Sequence, residues 1–316
     1  MPCLGILGTL VLDRIHRPPP DAAGGPPPAP TEDWGGIVYS LEAFEAARDG
    51  DWTFLPIAKI GADVYDEAVS RVETLPGVEG LDGLRRVPEP NNRVELHYHD
   101  RGERCERLTG GVPGWRWPEL EPLLQPCDAL FVNFIAGWEL DLEAARGLRR
   151  GFSGPIYADI HSLLLGVDES GVRVRRALPD RDEWMASFDY IQGNRAEIAI
   201  VAGVDDPLEA VSRLAERGAE AAFCTLGSEG AGWASADGTR GIETLASADR
   251  PVGAVDPTGC GDAWGAACLA TLLAGRNIEA AVRRANRFGA ATAGHPGTAG
   301  LSRALGRTAP AGESVR

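Results

Sequence analysis

The chain has 316 residues, of which 44% are hydrophobic and 24% charged, enough to bury a large core without disulfides or a structural metal. A formal net charge of −15 weighs against nucleic acid and anionic membranes as partners. The six cysteines are scattered without a C-x-x-C pair and read as reduced thiols, and the opening MPCLGILGTLVLD lacks the basic region of a secretory signal. No apolar run approaches the roughly 18 residues that span a bilayer, so the expected location is the cytoplasm.

Leu4 to Leu12 is a short apolar run that predicts one buried strand. Arg17 to Pro30, RPPPDAAGGPPPAP, suits neither helix nor central strand and predicts an exposed excursion. Ile37 to Arg48 reads as a helix with Leu41, Phe44 and Ala47 on its apolar face. Phe54 to Ile60 follows as a strand and Asp63 to Leu75 as a second helix. Between Asn92 and Leu108 the period changes. Val94, Leu96 and Tyr98 alternate with Arg93, Glu95, His97 and His99, and Asp100-Arg101-Gly102 marks a turn, which predicts a hairpin with one wet face.

A strand–helix rhythm then resumes. Strands are predicted at Ala129–Phe134, Pro155–Ile160, Tyr190–Gln192 and Ala221–Leu226, with helices at Leu142–Arg150, Leu208–Arg217, Ala263–Ala274 and Ile278–Ala293. This alternation predicts an α/β fold: a three-layer, doubly wound, mainly parallel sheet covered on both faces, carrying a small β-flap. In such sheets ligands bind beyond the carboxyl ends of the strands. The tail from Arg303 onward is polar.

Chemistry concentrates in Asp256 to Gly265, DPTGCGDAWG, which runs directly into the apolar helix AACLATLLA. Gly259 and Gly261 sit where loop becomes helix, so backbone can approach a ligand closely and the helix amino terminus favours an anion. Taken alone, Asp262 also fits an ordinary helix cap. The glycines beside it add an anion-sized hollow. There a transferring phosphoryl group would be stabilised, and the carboxylate would take a proton from the incoming hydroxyl.

DPTGCGDAWGAA resembles the carboxyl-terminal signature of the ribokinase-like, or phosphofructokinase B-type, carbohydrate kinases. The resemblance implies an anion hole at Gly259, Cys260 and Gly261 and a catalytic base at Asp262; Pro257, Cys260 and Trp264 are departures that keep the key groups. Further matches follow in the family's order. Gly8 to Asp13 is similar to its first strand, which ends in a substrate-binding Asp, although Asp13 alone also fits a turn. Gly35-Gly36, followed by Ser40, is similar to the di-glycine stretch that lies against substrate, and equally to a generic turn. Asn194-Arg195-Ala196-Glu197 matches an N-x-x-E motif associated with magnesium and phosphate, Glu197 and Asn194 acting through water; the pattern also fits a capping box. Thr225 to Gly230 resembles the nucleotide loop, contributing Thr225, Gly227 and Gly230. Asn286, with Gly297 beyond it, is similar to the helix bordering the adenine. The resemblance spans Leu4 to Leu301.

It implies a kinase domain over residues 1–305, with a β-lid from about 12–38 and 90–112, and a polar tail at 306–316. It implies ATP and Mg2+, leaves room for a monovalent cation such as K+, and by analogy suggests a homodimer through the lid. The expected acceptor is a sugar or sugar derivative. A nucleoside kinase of the same fold and a catalytically silent ligand-binding scaffold are the alternatives. A dinucleotide-dependent oxidoreductase is disfavoured, because no G-x-G-x-x-G follows the first strand. Ile37 and Ser40 stand where ribokinase itself has Lys and Asn, and Val11 replaces an Asn. An acceptor with fewer hydroxyls than ribose, or with an apolar portion, is therefore expected. Further contacts are expected from Asn91, Asn92, Arg93, Asn133 and Asp159, the last ending a predicted strand at the ligand edge.

Overall fold

The apolar run that opens the chain is divided by Gly8-Thr9 between two sheets, as β1 (Cys3–Leu7) and β2 (Leu10–His16). A Cβ at Gly8 would fall 2.3 Å from Ile37 Cγ2 and 2.8 Å from Asn133 O, so the chain can leave the first sheet there only as glycine. This corrects the expectation of a single strand. Both halves are buried, and an uninterrupted apolar pattern carries no mark of the change of sheet.

The computed structural model describes residues 1–17, 28–48, 50–98, 104–251 and 256–307. Most of the proline-rich excursion, the expected turn at 100–102 and the end of the tail lie outside them. After β2 come β3 (Thr31–Gly36), α1 (Ile37–Ala47), β4 (Thr53–Gly61), α2 (Tyr65–Glu73) and β5 (Leu84–Val87). Next are β6 (Arg93–Tyr98), β7 (Arg104–Thr109), α3 (Trp117–Leu120), β8 (Ala129–Asn133), α4 (Leu142–Gly151) and β9 (Ile156–Asp159). The chain continues through β10 (Leu165–Val167), β11 (Arg173–Arg175), α5 (Arg181–Met185), β12 (Tyr190–Asn194), α6 (Arg195–Ala202) and α7 (Pro207–Glu216). It ends with β13 (Ala221–Thr225), β14 (Ala231–Ser235), β15 (Arg240–Glu243), α8 (Cys260–Leu273), α9 (Ile278–Ala293) and α10 (Leu301–Gly306).

Among the described residues the main sheet has nine strands in the order β15-β14-β13-β12-β9-β8-β1-β4-β5. The strands from β13 to β5 are parallel, and β1 lies inside the sheet, pairing Leu4 with both Ala129 and Phe54. The antiparallel strands β14 and β15 extend one edge, in a stretch to which the sequence reading assigned no element. Alternate residues feed two cores: Phe131 packs with α1, α8 and α9, whereas its neighbours Leu130 and Val132 pack with α4, α6 and α7. Helix α1 is buried nearly all round because α8 and α10 also cover it, so its expected one-sided face is absent. No helix among the described residues is long and apolar enough to cross a membrane.

A second sheet, β3-β2-β6-β7, forms the lid; β2 runs parallel to β6, while β3 and β7 are antiparallel to their neighbours. The predicted hairpin is β6–β7. Val94 and Leu96 pack with Val11, Ile15 and Leu108 on its inner face. Asn91 and Asn92 do not reach the ligand region as expected. Asn91 ties the root of the lid, accepting from Gly61 N at 3.1 Å and donating to Leu10 O at 3.0 Å, while Asn92 Oδ1 accepts from Val112 N at 3.3 Å. Arg93 points outward to Asp63.

Candidate active site

The carboxyl ends of β8, β9, β12 and β13 open into a cavity of about 420 Å³ beside the start of α8. Gly259 precedes the helix at φ 77°, and a Cβ there would lie 2.1 Å from the Tyr39 ring, so conformation and space both demand glycine. The first turn of α8 carries no side-chain cap. Gly261 opens to the cavity, and Asp262, half-buried, lines it.

Asn133, the last residue of β8, donates its amide to Asp262 Oδ1 and, at 3.1 Å, to Ser40 Oγ. Ser40 is fully buried behind Asn133 and lines none of the cavities described here. The expected direct substrate contact from Ser40 is corrected accordingly: its hydroxyl reaches the site through Asn133. Asn133 Oδ1 is buried and has no hydrogen-bond partner among the described residues.

Asp13, Asp159 and Glu197 are each only 5% exposed. Asp159, ending β9, accepts from Gln192 Nε2 at 2.9 Å and from His161 N at 3.1 Å. Gln192 also donates to Gly261 O at 3.0 Å, which ties the start of α8 to the strand ends. Burial, and then the neighbouring Asp262 carboxylate, push the Asp159 carboxyl up to about 7.

Asn194 caps α6, accepting from Ala196 N at 3.0 Å and Glu197 N at 3.1 Å, while Glu197 Oε2 accepts from Asn194 N at 2.7 Å. The N-x-x-E motif is thus a capping box whose two side chains also line the cavity. His161, which the sequence reading missed, donates Nδ1–H to Glu197 Oε1 at 2.6 Å. Burial disfavours its charge, yet the Glu197 carboxylate prevails and holds the imidazole up to about 9. Burial likewise disfavours the Glu197 charge, and His161 is the main reason its carboxyl nevertheless stays below the usual range. A lone His after a strand carries no motif that would reveal it.

A second hollow of about 480 Å³ lies between the turn after β13 and α9. Thr225, Gly227, Gly230 and Arg250 line it together with the apolar Leu245, Pro251, Ala290 and Ala293. Asn286 lines this hollow, but its amide is engaged in the wall: Oδ1 accepts from Trp264 Nε1 at 2.8 Å and Nδ2 donates to Glu243 O at 2.9 Å.

Under the lid a third, smaller hollow is lined by Asp13, Gly36, Tyr39 and Asp262, with Val11, Val94 and Leu96 as its apolar side. Asp13 comes from the middle of β2, not from the end of the first strand. A Cβ at Gly35 would fall 1.9 Å from Asp13 Oδ2, so the di-glycine is where backbone makes room for that carboxylate. The structure therefore brings Asp13, Gly36, Asp159, Asn194, Glu197, Thr225, Gly227 and the Gly259–Asp262 segment to adjoining hollows, with Gly35 directly behind Asp13.

Residues 168–304 match the model of the pfkB family carbohydrate kinases. Over nearly their full lengths the chain and several solved kinases share one fold. Ribokinase from Arabidopsis thaliana, complexed with ribose and ATP, is 18% identical with a TM-score of 0.68, covering 96% of this chain and 98% of that one. A nucleoside kinase from Burkholderia thailandensis, complexed with inosine, is 17% identical with a TM-score of 0.69, covering 95% and 93%. A pyrophosphate-dependent kinase in the ribokinase family, complexed with a pyrophosphate analog and myo-inositol, is 20% identical with a TM-score of 0.71, covering 93% and 96%. The architecture is the ribokinase fold, an α/β body with a separate small sheet as lid. The likeness to the pfkB family of carbohydrate kinases rests on residues 168–304, while the ribokinase fold extends over nearly the whole chain.

Proposed function

We propose that the protein transfers the γ-phosphoryl group of ATP to an alcohol of a sugar or sugar derivative, with Asp262 as general base. One observation carries this reading: Asp262 lines both the strand-end cavity and the hollow under the lid, and the second large hollow begins at the adjacent Gly261. Donor, acceptor and base thus have a common meeting point.

On this reading the acceptor enters beneath the lid, where one of its hydroxyls donates to Asp13. Asn133 orients Asp262, which takes the proton of the attacking hydroxyl. Backbone N–H groups of Gly259, Cys260 and Gly261 at the start of α8 stabilise the charge on the migrating group. Magnesium fits as an ion carried by the donor phosphates, with Glu197 and Asn194 facing the same cavity and reaching it through water. When bound, it would neutralise phosphate charge.

The largely apolar lining of the second hollow supports a nucleotide donor over pyrophosphate, which would leave Leu245, Pro251, Ala290 and Ala293 without a partner. Val11, Val94 and Leu96 in the lid hollow suit an acceptor with an apolar portion, whether a sugar derivative or a nucleoside. Purified protein with magnesium and either ATP or pyrophosphate, assayed for product release against sugars, polyols and nucleosides, tests this. ATP-dependent turnover of a sugar-type acceptor is expected. Turnover of nucleosides alone selects the alternative acceptor, and acceptor binding without turnover of any substrate overturns the kinase reading.

A further inference from the structure

Two parallel neighbours in the lid, β2 and β6, deliver polar side chains from their carboxyl ends to one carboxylate of the body. That carboxylate is Asp256, which opens the segment leading to Gly259 and Asp262. Arg17, just past β2, donates Nη2 to Asp256 Oδ2 and Nη1 to Thr31 Oγ1 at 3.2 Å. Tyr98, the last residue of β6, donates its hydroxyl to Asp256 Oδ1 at 3.2 Å and lies 2.8 Å from Thr258 Oγ1. Thr258 N donates to the same Asp256 oxygen at 3.0 Å, and Cys260 Sγ lies 3.7 Å from Asp256 O. The Asp256 side chain is only 14% exposed.

We infer that Arg17, Tyr98 and Asp256 form a latch that holds the lid shut on the anion-hole loop, making Arg17 and Tyr98 positioning residues for phosphoryl transfer. The inference rests on the kinase reading for its catalytic consequence, not for its geometry. The root of the lid is held independently of the latch, by Asn91 and by Asp33, whose Oδ2 accepts from Thr298 N at 2.6 Å. At the other end, lid and loop share the Asp256 carboxylate. The bonds that close the lid therefore also brace the turn at Asp256–Thr258 that precedes Gly259. Burial works against the charge on Asp256, but the bonds from Thr258 and Arg17 keep its carboxyl below the ordinary range, so the latch is ionic at neutral pH. A charge-assisted, partly buried bond of this kind is stronger than an exposed surface pair. Closure matters chemically because water reaching the phosphoryl group would compete with the acceptor.

The first test needs no substrate. Hydrogen exchange at residues 10–16 and 93–98 would be compared in full-length wild type, Arg17→Gln, Tyr98→Phe and Asp256→Asn. Exchange roughly 3- to 10-fold faster at these lid amides is expected, the range for one lost hydrogen bond, with β8 and β9 unchanged. Arg17→Lys should keep most of the protection. Unchanged lid exchange in all three variants overturns the latch, and so does exchange accelerated equally through the main sheet. The second test uses the acceptor. In Arg17→Gln and Tyr98→Phe the acceptor KM and the ratio of ATP hydrolysis to transfer should both rise several-fold. A loosened lid with an unaltered ratio overturns the positioning role, whereas failure of every acceptor with a loosened lid overturns the kinase reading and leaves the latch standing.

Discussion

Asp262 and Asp159 are carboxylates of one cavity with different environments. Asp262 is half-buried and receives the Asn133 amide, whereas Asp159 is buried beside it and has a carboxyl pushed up to about 7. Asp262→Asn keeps the shape and removes the proposed base, so kcat should fall at least ~10²-fold with ATP binding retained. Single-turnover kinetics with a nucleotide titration would check this, and near-normal kcat would refute the role. For Asp159 the pH dependence has a definite sign. Its folded carboxyl stays protonated above the ordinary value of 3.8, so the folded state binds the proton more tightly than the unfolded chain does. The favourable contribution is full in acid and is lost as pH rises through about 7. Asp159→Asn should therefore gain in Tm relative to wild type as pH rises from about 4 to about 7, with little further change above that. A pH-independent difference in Tm would contradict the assignment.

At the scale of elements, chemistry here is placed by where strands stop and helices start. β8, β9, β12 and β13 end on Asn133, Asp159, Asn194 and Thr225, and each of these residues lines the main cavity. The lid contributes Asp13 from β2, and β3 must pass that carboxylate without a side chain at Gly35. Gly35→Ala should displace Asp13, raising the acceptor KM roughly ten-fold or more, the scale of one charged hydrogen bond, while the ATP KM stays unchanged. Steady-state kinetics with each substrate varied in turn would show it. Equal effects on both KM values would indicate general distortion instead. Most of these elements could be read from periodicity, and α9 spans the predicted residues Ile278–Ala293. The division at Gly8-Thr9 and the burial of α1 on nearly every side could not, because an apolar pattern reports burial without naming the neighbour.

For the whole molecule, a net charge of −15 is compatible with binding polyphosphate because the proposed contacts are backbone N–H groups at a helix start and a glycine turn, not a basic patch. ATP with magnesium should stabilise the folded state by about 2.7 kcal/mol at a hundred-fold excess over Kd, by mass action. Thermal unfolding with ATP and with pyrophosphate would compare the donors. A larger Tm rise with pyrophosphate at matched concentration would overturn the preference for a nucleotide.

The amino-acid sequence alone determined the α/β class, the hairpin of the lid and the segment from Asp256 to Gly265, because these depend on local periodicity and on residues whose spacing along the chain is itself the signal. Tertiary structure decided the rest. His161 meets Glu197, Ser40 withdraws behind Asn133, and Arg17 and Tyr98 converge on Asp256, contacts between residues far apart in the chain. Such pairs leave no local trace, since each partner alone is an ordinary polar residue and only packing makes them neighbours.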